Sequence, residues 1–396
     1  MEVHVESETM LQTAVENSLL SSSGSTSSVN VVPIPAALID TTFSSSTNLS
    51  TSVLGASIVS VSDEYFAAAS NLLTPGPSVR KAGYFVHTGA WYDGWETRRH
   101  NQKEYDWAVI KLGAPGIIDA FEVDTAHFNG NEAPFAGVDG AFLTEEQEKD
   151  SGVDKEGYTG WTELLPPSKC GPSQRQAWKV SGPNVTGKQY THLRLKQYPD
   201  GGIARFRTFG TVVPPPLPAS AAVAGAERPV EDLAAALNGG VAIECSDQHF
   251  GGKAYLILPG RGKDMGDGWE TARSRVPGHV DWAIIRLGLK GRTISQVVVD
   301  TKDFRGNFPR AVKVEAWATE VAKAALGTES DPKFDAAGWV ALIPGEQATK
   351  ADTEHVFEGQ GLAVQNPPEG CVWTHVKLTI IPDGGVKRLR IFGKRA

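Results

Sequence analysis

Apolar and polar residues alternate with a period of two along much of the chain. In "THVKLTII", Val376, Leu378 and Ile380 alternate with polar residues. In "VKRLRIFG", Leu389 and Ile391 alternate with arginines. Because successive side chains of a strand point to opposite faces, this period predicts strands with one buried face. The intervening "PDGG" is a turn sequence, so the two segments are predicted to form an antiparallel hairpin.

Further short apolar segments, such as "DWAIIRLG" and "QVVVDT", are separated by Gly, Pro, Asp and Asn residues that favour turns. Predicted strands do not alternate with predicted helices, and the sequence has no glycine-rich phosphate-binding motif. The pattern therefore predicts an all-β protein built from β-sandwich or jelly-roll domains.

The chain contains the same series of blocks twice, in the same order. Residues 93–99 read "DGWETRR" and residues 267–273 read "DGWETAR". The other paired blocks are "SDEYF" and "SDQHF", "YDWAVIKLG" and "VDWAIIRLG", "VDTAHFNGN" and "VDTKDFRGN", and "THLRLKQYPDGGIARFRTFG" and "THVKLTIIPDGGVKRLRIFG". Chance does not produce several matches in one order, and the period is too long for a solenoid repeat. The sequence therefore predicts a duplicated domain.

Composition divides the chain into four segments. The Ser- and Thr-rich residues 1–43 cannot bury much apolar surface and are predicted to be disordered. Residues 44–213 and 239–396 are predicted to form the two β-sandwich repeats. Residues 214–238 form a Pro- and Ala-rich linker, in which "RPVEDLAAALNGG" predicts a short helix.

Charge and targeting signals narrow the class of partner. The 396 residues carry a formal net charge of −8, which argues against nucleic-acid binding. No apolar run approaches the length of a membrane span, and the acidic start "MEVHVESETM" lacks the features of a secretory signal. We therefore expect a cytoplasmic protein that binds neither nucleic acid nor membrane. Cys170, Cys245 and Cys371 form no CxxC pair and are expected to be reduced thiols.

The repeated "DGWET" has a structural and a chemical interpretation. Asp-Gly favours a turn, and Trp95 or Trp269 could anchor that turn to the core. Glu96 and Glu270 are harder to explain by packing. Each carboxylate either forms a surface ion pair or acts as a general acid or base beside an arginine clamp for an anion. The polar neighbours that would take part are Asp93, Asp267, Arg98, Arg99 and Arg273.

The "VDTAHFNGN" block supplies a second polar cluster. Asp124 and Asp300 end apolar strands, where a carboxylate either caps a turn or faces a site. Asn131 and Asn307 follow a glycine in a turn-like sequence, but their amides could also bind a ureido or amide group. His127 occurs only in the first copy, since an aspartate replaces it in the second. An active site need therefore not be equal in both halves.

His192 and His375 are the only histidines that both copies share. Each stands on a predicted strand beside a threonine and is either a buried structural histidine or a general acid or base. The sequence lacks HExxH, HxH and paired Cys–His spacings, and it lacks the elbow motif of a Ser–His–Asp triad. A divalent-metal site built from Asp and Glu stays open, because such ligands need no fixed spacing.

The paired blocks resemble those of the allantoicase family, also called allantoate amidinohydrolases. The blocks that carry the resemblance are "SDEYFAAASNLL", "DGWETRR", "DWAVIKLG", "VDTAHFNGN" and "PDGGIARFRTFG", each echoed in the second half. The resemblance covers about residues 44–396. It implies two jelly-roll domains related to galactose-binding-like sandwiches, in a homo-oligomer. It also implies hydrolysis of allantoate to ureidoglycolate and urea, a step of allantoin degradation in purine nitrogen salvage.

The resemblance assigns no individual residues, so the candidates follow from the chemistry of the substrate. Allantoate is a small carboxylate whose central carbon carries two ureido groups, and releasing urea requires a proton donor and a base. The candidate catalytic residues are Glu96, Glu270, His127, His192 and His375. The candidate substrate-binding residues are Asp93, Arg98, Arg99, Asp124, Asn131, Asp267, Arg273, Asp300 and Asn307. Metal ligands stay unassigned, and no cofactor is expected other than that divalent metal.

Two other classes of protein compete with the enzyme. Tandem galactose-binding-like sandwiches also serve as non-catalytic modules that bind carbohydrates or other ligands, since fold does not fix function. A structural assembly protein would show neither turnover nor binding of small ligands. Release of urea from allantoate separates the enzyme from both.

Overall fold

The computed structural model describes residues 28–99, 102–221, 223, 226–327 and 330–396. These residues form two compact units. The first contains the described residues up to Phe43 together with Asn48–Thr211, and the second contains Ser44–Thr47 together with Val212–Ala396. None of the helices among the described residues has the length and apolar character that crossing a membrane requires.

Strands make up most of both units. Strands β1 to β13 are Asn30–Ile34, Thr47–Asn48, Ser57–Val61, Phe85–Val86, Gly89–Ala90, Trp95–Glu96, Asp106–Asp124, Phe135–Ala141, Thr162–Lys169, Arg175–Ser181, Gln189–Tyr198, Gly202–Ile203 and Arg205–Val212. Strands β14 to β24 are Glu231–Asp232, Val241–Cys245, Trp269–Glu270, Asp281–Asp300, Ala311–Glu320, Val340–Ala341, Gln347–Ala348, Glu354–Glu358, Cys371–Ile381, Gly385–Val386 and Arg388–Arg395.

Helices are short in both units. The α-helices α1, α2 and α3 are Ile39–Thr42, Glu145–Ser151 and Val321–Leu326. Short 3₁₀ helices cover Ala36–Leu38, Ser52–Leu54, Ala69–Leu73, Ala219–Ala221, Ala236–Asn238, Lys253–Ile257, Met265–Asp267 and Gly359–Gly361. Helix α2 begins with a capping box, in which Thr144 accepts from the backbone N–H of Gln147 and the Gln147 side chain accepts from that of Thr144.

One long strand runs through both layers of the second unit. Residues 281–286 of β17 pair with β22, and β15 lies on the other edge of that half. Residues 291–300 pair with β24, and β21 lies on the other edge. A strand has only two edges, so four partners place the two halves of β17 in two different layers. This arrangement is a β-sandwich.

The first unit repeats the arrangement around β7. This 19-residue strand pairs with β3, β10, β11 and β13. The hydrophobic core lies between the layers, because residues of β7 and β11 such as Ile110, Phe121 and Leu195 are fully buried. The predicted fold class, two tandem β-sandwich domains from an internal duplication, is confirmed.

The predicted hairpin across "PDGG" is wrong. Strands β22 and β24 do not pair with each other but with different halves of β17. The "PDGG" turn therefore carries the chain from one layer to the other. Alternation along the sequence indicates which side chains of a strand are buried, but it does not indicate which strand is its neighbour. Here the neighbour of both β22 and β24 is the long strand β17.

Both faces of β22 are buried, although alternation predicts one. Residues Val372–Ile381 are all buried, including His375 and Lys377. Lys377 lies over the rings of Phe334 and Trp339, with Nζ 4.8 and 4.7 Å from the ring centroids. The polar face is thus covered by a segment of the same unit, and its cation is stabilised by aromatic rings.

The ordered part of the chain begins earlier than predicted. Residues 30–34 form β1, which pairs with β10, so the expectation of disorder over residues 1–43 is wrong for this strand. Residues 1–27 lie outside the described part. The linker prediction also changes, because β14 (Glu231–Asp232) pairs with β24. The expected short helix is a 3₁₀ turn at Ala236–Asn238.

In each unit, a buried phenylalanine ring packs against a glycine of the "PDGG" turn. Phe304 is fully buried, and a Cβ built on Gly385 would lie 2.0 Å from its ring. In the first unit, a Cβ on Gly202 would lie 2.1 Å from the ring of Phe128. The second glycine of each "PDGG" is therefore required by space, because the ring fills the volume that a side chain would take.

Replacing Gly385 by alanine should lower the free energy of unfolding by about 1–3 kcal/mol, because the added carbon overlaps the Phe304 ring. The control is Gly306→Ala, since a Cβ at Gly306 meets no heavy atom within 4 Å. It should change the free energy by less than about 0.5 kcal/mol. Urea unfolding followed by circular dichroism measures both. Equal midpoints for the two variants would contradict this packing.

Candidate functional site

The tryptophan of each "DGWET" block anchors its loop to the core. Trp95 is fully buried, and its Nε1 donates a 2.8 Å hydrogen bond to the carbonyl of Asp63. Trp269 is fully buried and bonds the carbonyl of Asp247 in the same way. The structural interpretation of the tryptophans is confirmed. Anchoring them also fixes the backbone of the adjacent residue, which in the first unit is Glu96.

Arg205 fixes the loop that leads into the first "DGWET" block. Its side chain is 1% exposed. Nε donates to the carbonyl of Gly76, and Nη2 donates to the carbonyl of Pro77 and to Asp93 Oδ2, the last at 2.7 Å. Nη1 donates to the carbonyls of Asp93 and Ala204. All five donors of the guanidinium are used, so the two ends of the loop are held together.

Arg388 occupies the equivalent position in the second unit. It donates to the carbonyls of Gly260, Asp267 and Lys387 at 3.1, 2.6 and 2.7 Å. Sequence alternation misses both arginines, because it places them on the solvent side of a strand. One signal was available in the sequence, because both copies have an arginine at this position. A residue exposed to solvent would not need to be the same in both copies.

Glu96 is one of two buried carboxylates in the first-unit cluster, which comprises Asp93, Glu96, Arg99, Asp124, His127 and Asn131. It is 8% exposed, and its Oε1 accepts a 2.8 Å hydrogen bond from Asn131 Nδ2. Arg99 lies close and donates to the carbonyl of Gly130 at 2.6 Å. Burial raises the pKa of Glu96, although the hydrogen bond from Asn131 and the charge of Arg99 partly oppose this. A carboxyl group of this kind is suited to carry a proton nearer neutral pH.

The turn after β7 carries Asp124 and His127. Asp124 Oδ1 accepts from the backbone N–H of Ala126 at 2.8 Å, so the carboxylate caps the turn. His127 has a φ of 73°, which is uncommon for a residue other than glycine. Its Nε2 lies 3.3 Å from the carbonyl of Ser78. The turn therefore brings His127 to the loop that Arg205 holds.

The second unit repeats the pairing of glutamate with asparagine. Asn307 Nδ2 donates to Glu270 Oε1. Both predicted asparagine ligands thus hold a glutamate in place. Arg273, the counterpart of Arg99, is exposed, and within the described ranges it forms no ion pair.

Two cations, the buried Lys387 and the partly exposed Arg261, form ion pairs with the two aspartates Asp267 and Asp300 of the second-unit cluster. Lys387 is fully buried and forms an ion pair with Asp267. Burial opposes the ionisation of Asp267, but hydrogen bonds from Lys387 and from a backbone N–H outweigh it and hold its pKa below the ordinary value. Asp300 forms two hydrogen bonds with Arg261, at 2.8 and 2.9 Å.

Arg98 is held by another carboxylate of its own unit. Its Nε and Nη2 lie 3.0 and 2.7 Å from Asp63 Oδ1, and its backbone N–H donates to the same carboxylate. The second unit has Ala272 at this position, whose backbone N–H donates to Asp247. The position therefore supports the loop through its backbone. Arg99, not Arg98, is the arginine whose charge acts on Glu96.

His192 and His375 lie in matching buried networks. His192 Nδ1 is 3.0 Å from Thr191 Oγ1, and its Nε2 is 3.5 Å from Glu148. His375 Nε2 is 3.0 Å from Asp331. Burial lowers the pKa of both histidines, and the nearby carboxylates partly offset this. The carboxylates that contact the two histidines, Glu148 and Asp331, belong to segments that cover the sheet of each unit.

The structure does not bring His192 to the Glu96 cluster. Gln197, on the same strand, reaches the loop, since its Nε2 donates to Thr97 Oγ1 at 3.1 Å. His192 is five residues further along β11, a separation of about 16 Å at about 3.3 Å per residue. The geometry of both shared histidines fits their structural interpretation.

The described residues contain no group of three or more His, Cys, Asp or Glu side chains placed to hold a metal ion. Burial also works against the reactivity of two of the cysteines. Burial raises the pKa of Cys170 to about 12 and raises that of Cys245. Neither thiol is suited to act as a nucleophile near neutral pH.

A family model described as the allantoicase repeat matches residues 47–213 and again 231–396. An allantoicase of Neurospora crassa is 52% identical over 362 residues, which is 90% of this chain and 94% of that protein. An allantoicase of Saccharomyces cerevisiae is 48% identical over 344 residues, covering 86% and 92%. The crystal structure of an allantoicase from Saccharomyces cerevisiae superposes with a TM-score of 0.73 at 41% identity, over 92% of this chain and all of that one.

Replacing Arg205 by lysine should destabilise the first unit, because three donors cannot serve the five acceptors around the guanidinium. Each buried acceptor left without a donor should cost about 1–3 kcal/mol. The exposed Arg98 is the control, and Arg98→Lys should cost less than about 1 kcal/mol. Urea unfolding of both variants measures the difference. A midpoint for Arg205→Lys equal to that of the control would contradict the clamp.

Replacing Glu96 by glutamine should stabilise the protein at about pH 8 and much less at about pH 4. The raised pKa means that the folded state holds the proton more tightly than the unfolded state. The stability that this contributes is present at low pH and is lost as the pH rises through the folded pKa. The gain should be on the order of 1 kcal/mol. Thermal melting at both pH values measures it, with the exposed Glu104→Gln as control. A variant less stable than wild type at the higher pH would contradict a buried charge.

Proposed function

The chain belongs to the allantoicase family, and we propose that it hydrolyses allantoate to ureidoglycolate and urea. The observation that carries the proposal is the match of both repeats to allantoicases over nearly the whole chain. The relatives compared with this chain are named as enzymes, which leaves a non-catalytic binding module without support.

The reaction breaks one bond between the central carbon of allantoate and a ureido nitrogen. The leaving nitrogen takes a proton and departs as urea, and a water molecule gives its hydroxyl to the carbon and its other proton to the enzyme. One general acid that recovers its proton from water can serve both halves of this exchange. No oxidant or reductant is needed, because the net change is the addition of water.

Glu96 is suited to that role in the first unit. Its burial and raised pKa favour the protonated form needed to protonate the leaving nitrogen. The resulting carboxylate would then take the proton from water. Asn131 orients the carboxyl group through its 2.8 Å hydrogen bond. It thereby acts as a positioning residue.

Arg99 is suited to bind the substrate carboxylate. Its guanidinium is exposed, and among the described residues its hydrogen bond goes to the carbonyl of Gly130, which leaves other donors for an anion. The next residue, Asn131, bonds Glu96, so Arg99 and Glu96 are held at the same turn and can share one small substrate. His127 lies on the same turn as Asn131 and is proposed to contact a ureido group.

Three further properties stay predictions. We expect a homo-oligomer, as the resemblance implies, and a cytoplasmic location without nucleic-acid partners. A divalent metal also stays open. If one takes part, it would supply a Lewis acid to polarise the leaving group or bound water.

Purified protein given allantoate should release urea, measured before and after incubation with a chelator. Turnover that resists chelation would favour acid–base chemistry by the residues named above. Turnover that is lost and then restored by one divalent ion would redirect the site toward Asp and Glu ligands. Folded protein that releases no urea with any added divalent ion would contradict the proposed function.

A further inference from the structure

The two copies of the cluster share a scaffold but differ in the groups that fill it. Both hold a buried tryptophan, a glutamate bound by asparagine and an arginine clamp. Three of the aligned positions that differ are Ala204 and Lys387, His127 and Asp303, and Pro77 and Arg261. At each of these three, the second unit has a charged group where the first unit has none or a histidine.

Lys387 closes one side of the second-unit cluster. Its side chain is fully buried and forms ion pairs with Asp267 and with Asp303, the latter at 3.1 Å. It also donates to the carbonyl of Asp264. An ammonium group has three donors, and these three contacts use all of them. Asp267 and Asp303 thus share a counter-charge within the protein, and the ammonium group has no donor left for a ligand.

Arg261 closes the other side. It forms a bidentate pair with Asp300, whose side chain is 2% exposed. The equivalent of Asp300 in the first unit is Asp124, and Pro77 there has no charge to offer it. Within the part of the chain that the structure describes, Asp124 has no ion pair, and its carboxylate caps a turn. The first-unit cluster therefore keeps a buried carboxylate that the second unit has neutralised.

The first unit also has a longer loop beside its cluster. Residues 80–92 separate Val79 from Asp93, whereas only residues 264–266 separate Lys263 from Asp267. The added segment holds the hairpin of β4 and β5. The residue just before this segment is tied to the cluster, since the N–H of Val79 donates to Asp93 Oδ2 at 2.9 Å.

This hairpin carries aromatic side chains into solvent. Tyr84 and Phe85 are 53% and 69% exposed. Tyr84 also contacts Trp91 edge to face, and Lys81 lies 4.6 Å from the Trp91 ring centroid. Aromatic rings near polar groups are typical of ligand sites, and this segment leads directly into Asp93. In the second unit the three connecting residues 264–266 include no aromatic residue.

We propose that the duplicated sites have divided their roles. The first-unit cluster binds and hydrolyses the substrate, and the second-unit cluster is a closed ion-pair network that holds its own loop together. The inference rests on the proposed function, because it says which copy performs that reaction. It follows from what fills each cluster: Lys387 and Arg261 in the second unit, and Ala204 and Pro77 in the first.

The first test compares Glu96→Gln with Glu270→Gln in the full chain, using urea release from allantoate. We expect Glu96→Gln to lose roughly 10²-fold or more in kcat, since a proton donor contributes about that much. Glu270→Gln should keep the wild-type kcat, because the inference places Glu270 outside the reacting cluster. Circular dichroism and melting curves check that both variants fold.

The outcomes separate the inference from the proposed function. If the wild type releases urea, a large loss of kcat in Glu270→Gln or a full kcat in Glu96→Gln would overturn the division of roles. Either result would leave the proposed function intact. Absence of urea from the wild type would overturn the function, and the inference with it.

The second test copies the closed network into the first unit. The double variant Ala204→Lys with His127→Asp supplies the cation and the carboxylate that the second unit uses. We expect it to remain folded, because Asp93 offers the same partner as Asp267, and to lose most of its kcat/KM. The converse change, Lys387→Ala with Asp303→His, should leave kcat/KM near the wild-type value. A folded Ala204→Lys with His127→Asp protein with wild-type kcat/KM would overturn the inference.

Discussion

The buried guanidinium group of Arg205, and its equivalent Arg388, is the interaction on which the rest of each cluster depends. A charged group out of water is tolerated only when its donors are all satisfied, and here the acceptors are backbone carbonyls at both ends of one loop. The loop therefore has one shape that satisfies the arginine. That shape carries the tryptophan into the core and turns the following glutamate toward its asparagine.

Both copies of the duplicated domain satisfy this constraint, whereas other positions of the cluster differ between them. Both units keep the arginine, the tryptophan, the Glu–Asn pair and the phenylalanine that packs on glycine, because each supports the same backbone path. The groups around that path do not support it and were free to change. Lys387 and Arg261 make the second cluster a set of satisfied ion pairs, whereas the first has Ala204, Pro77 and His127 beside a longer loop that contains aromatic residues. The two copies thus share the scaffold and differ in the charged groups around it.

Much of the fold could be predicted from the sequence alone, and the predictions that failed did so for identifiable reasons. Period-two alternation identified strands such as β22 and the all-β class, but it predicted a hairpin where the chain crosses between layers. It also placed Arg205 and Arg388 in solvent, although loops distant in sequence cover them. For the candidate site, repetition singled out Glu96 and Asn131, which do meet. The same signal selected His192, which lies elsewhere on the sheet.

The sequence by itself determined the duplication, the strand content and the family, because these depend on local alternation and on the order of repeated blocks within one chain. Only the tertiary structure decided which repeated polar residues share a cluster and which of the two clusters is closed. The physical reason is that ion pairs and desolvation act between side chains 2.6–4 Å apart, as with Lys387 and Asp303 at 3.1 Å, which stand 84 residues apart in the chain. Spacing along the sequence carries no record of such distances.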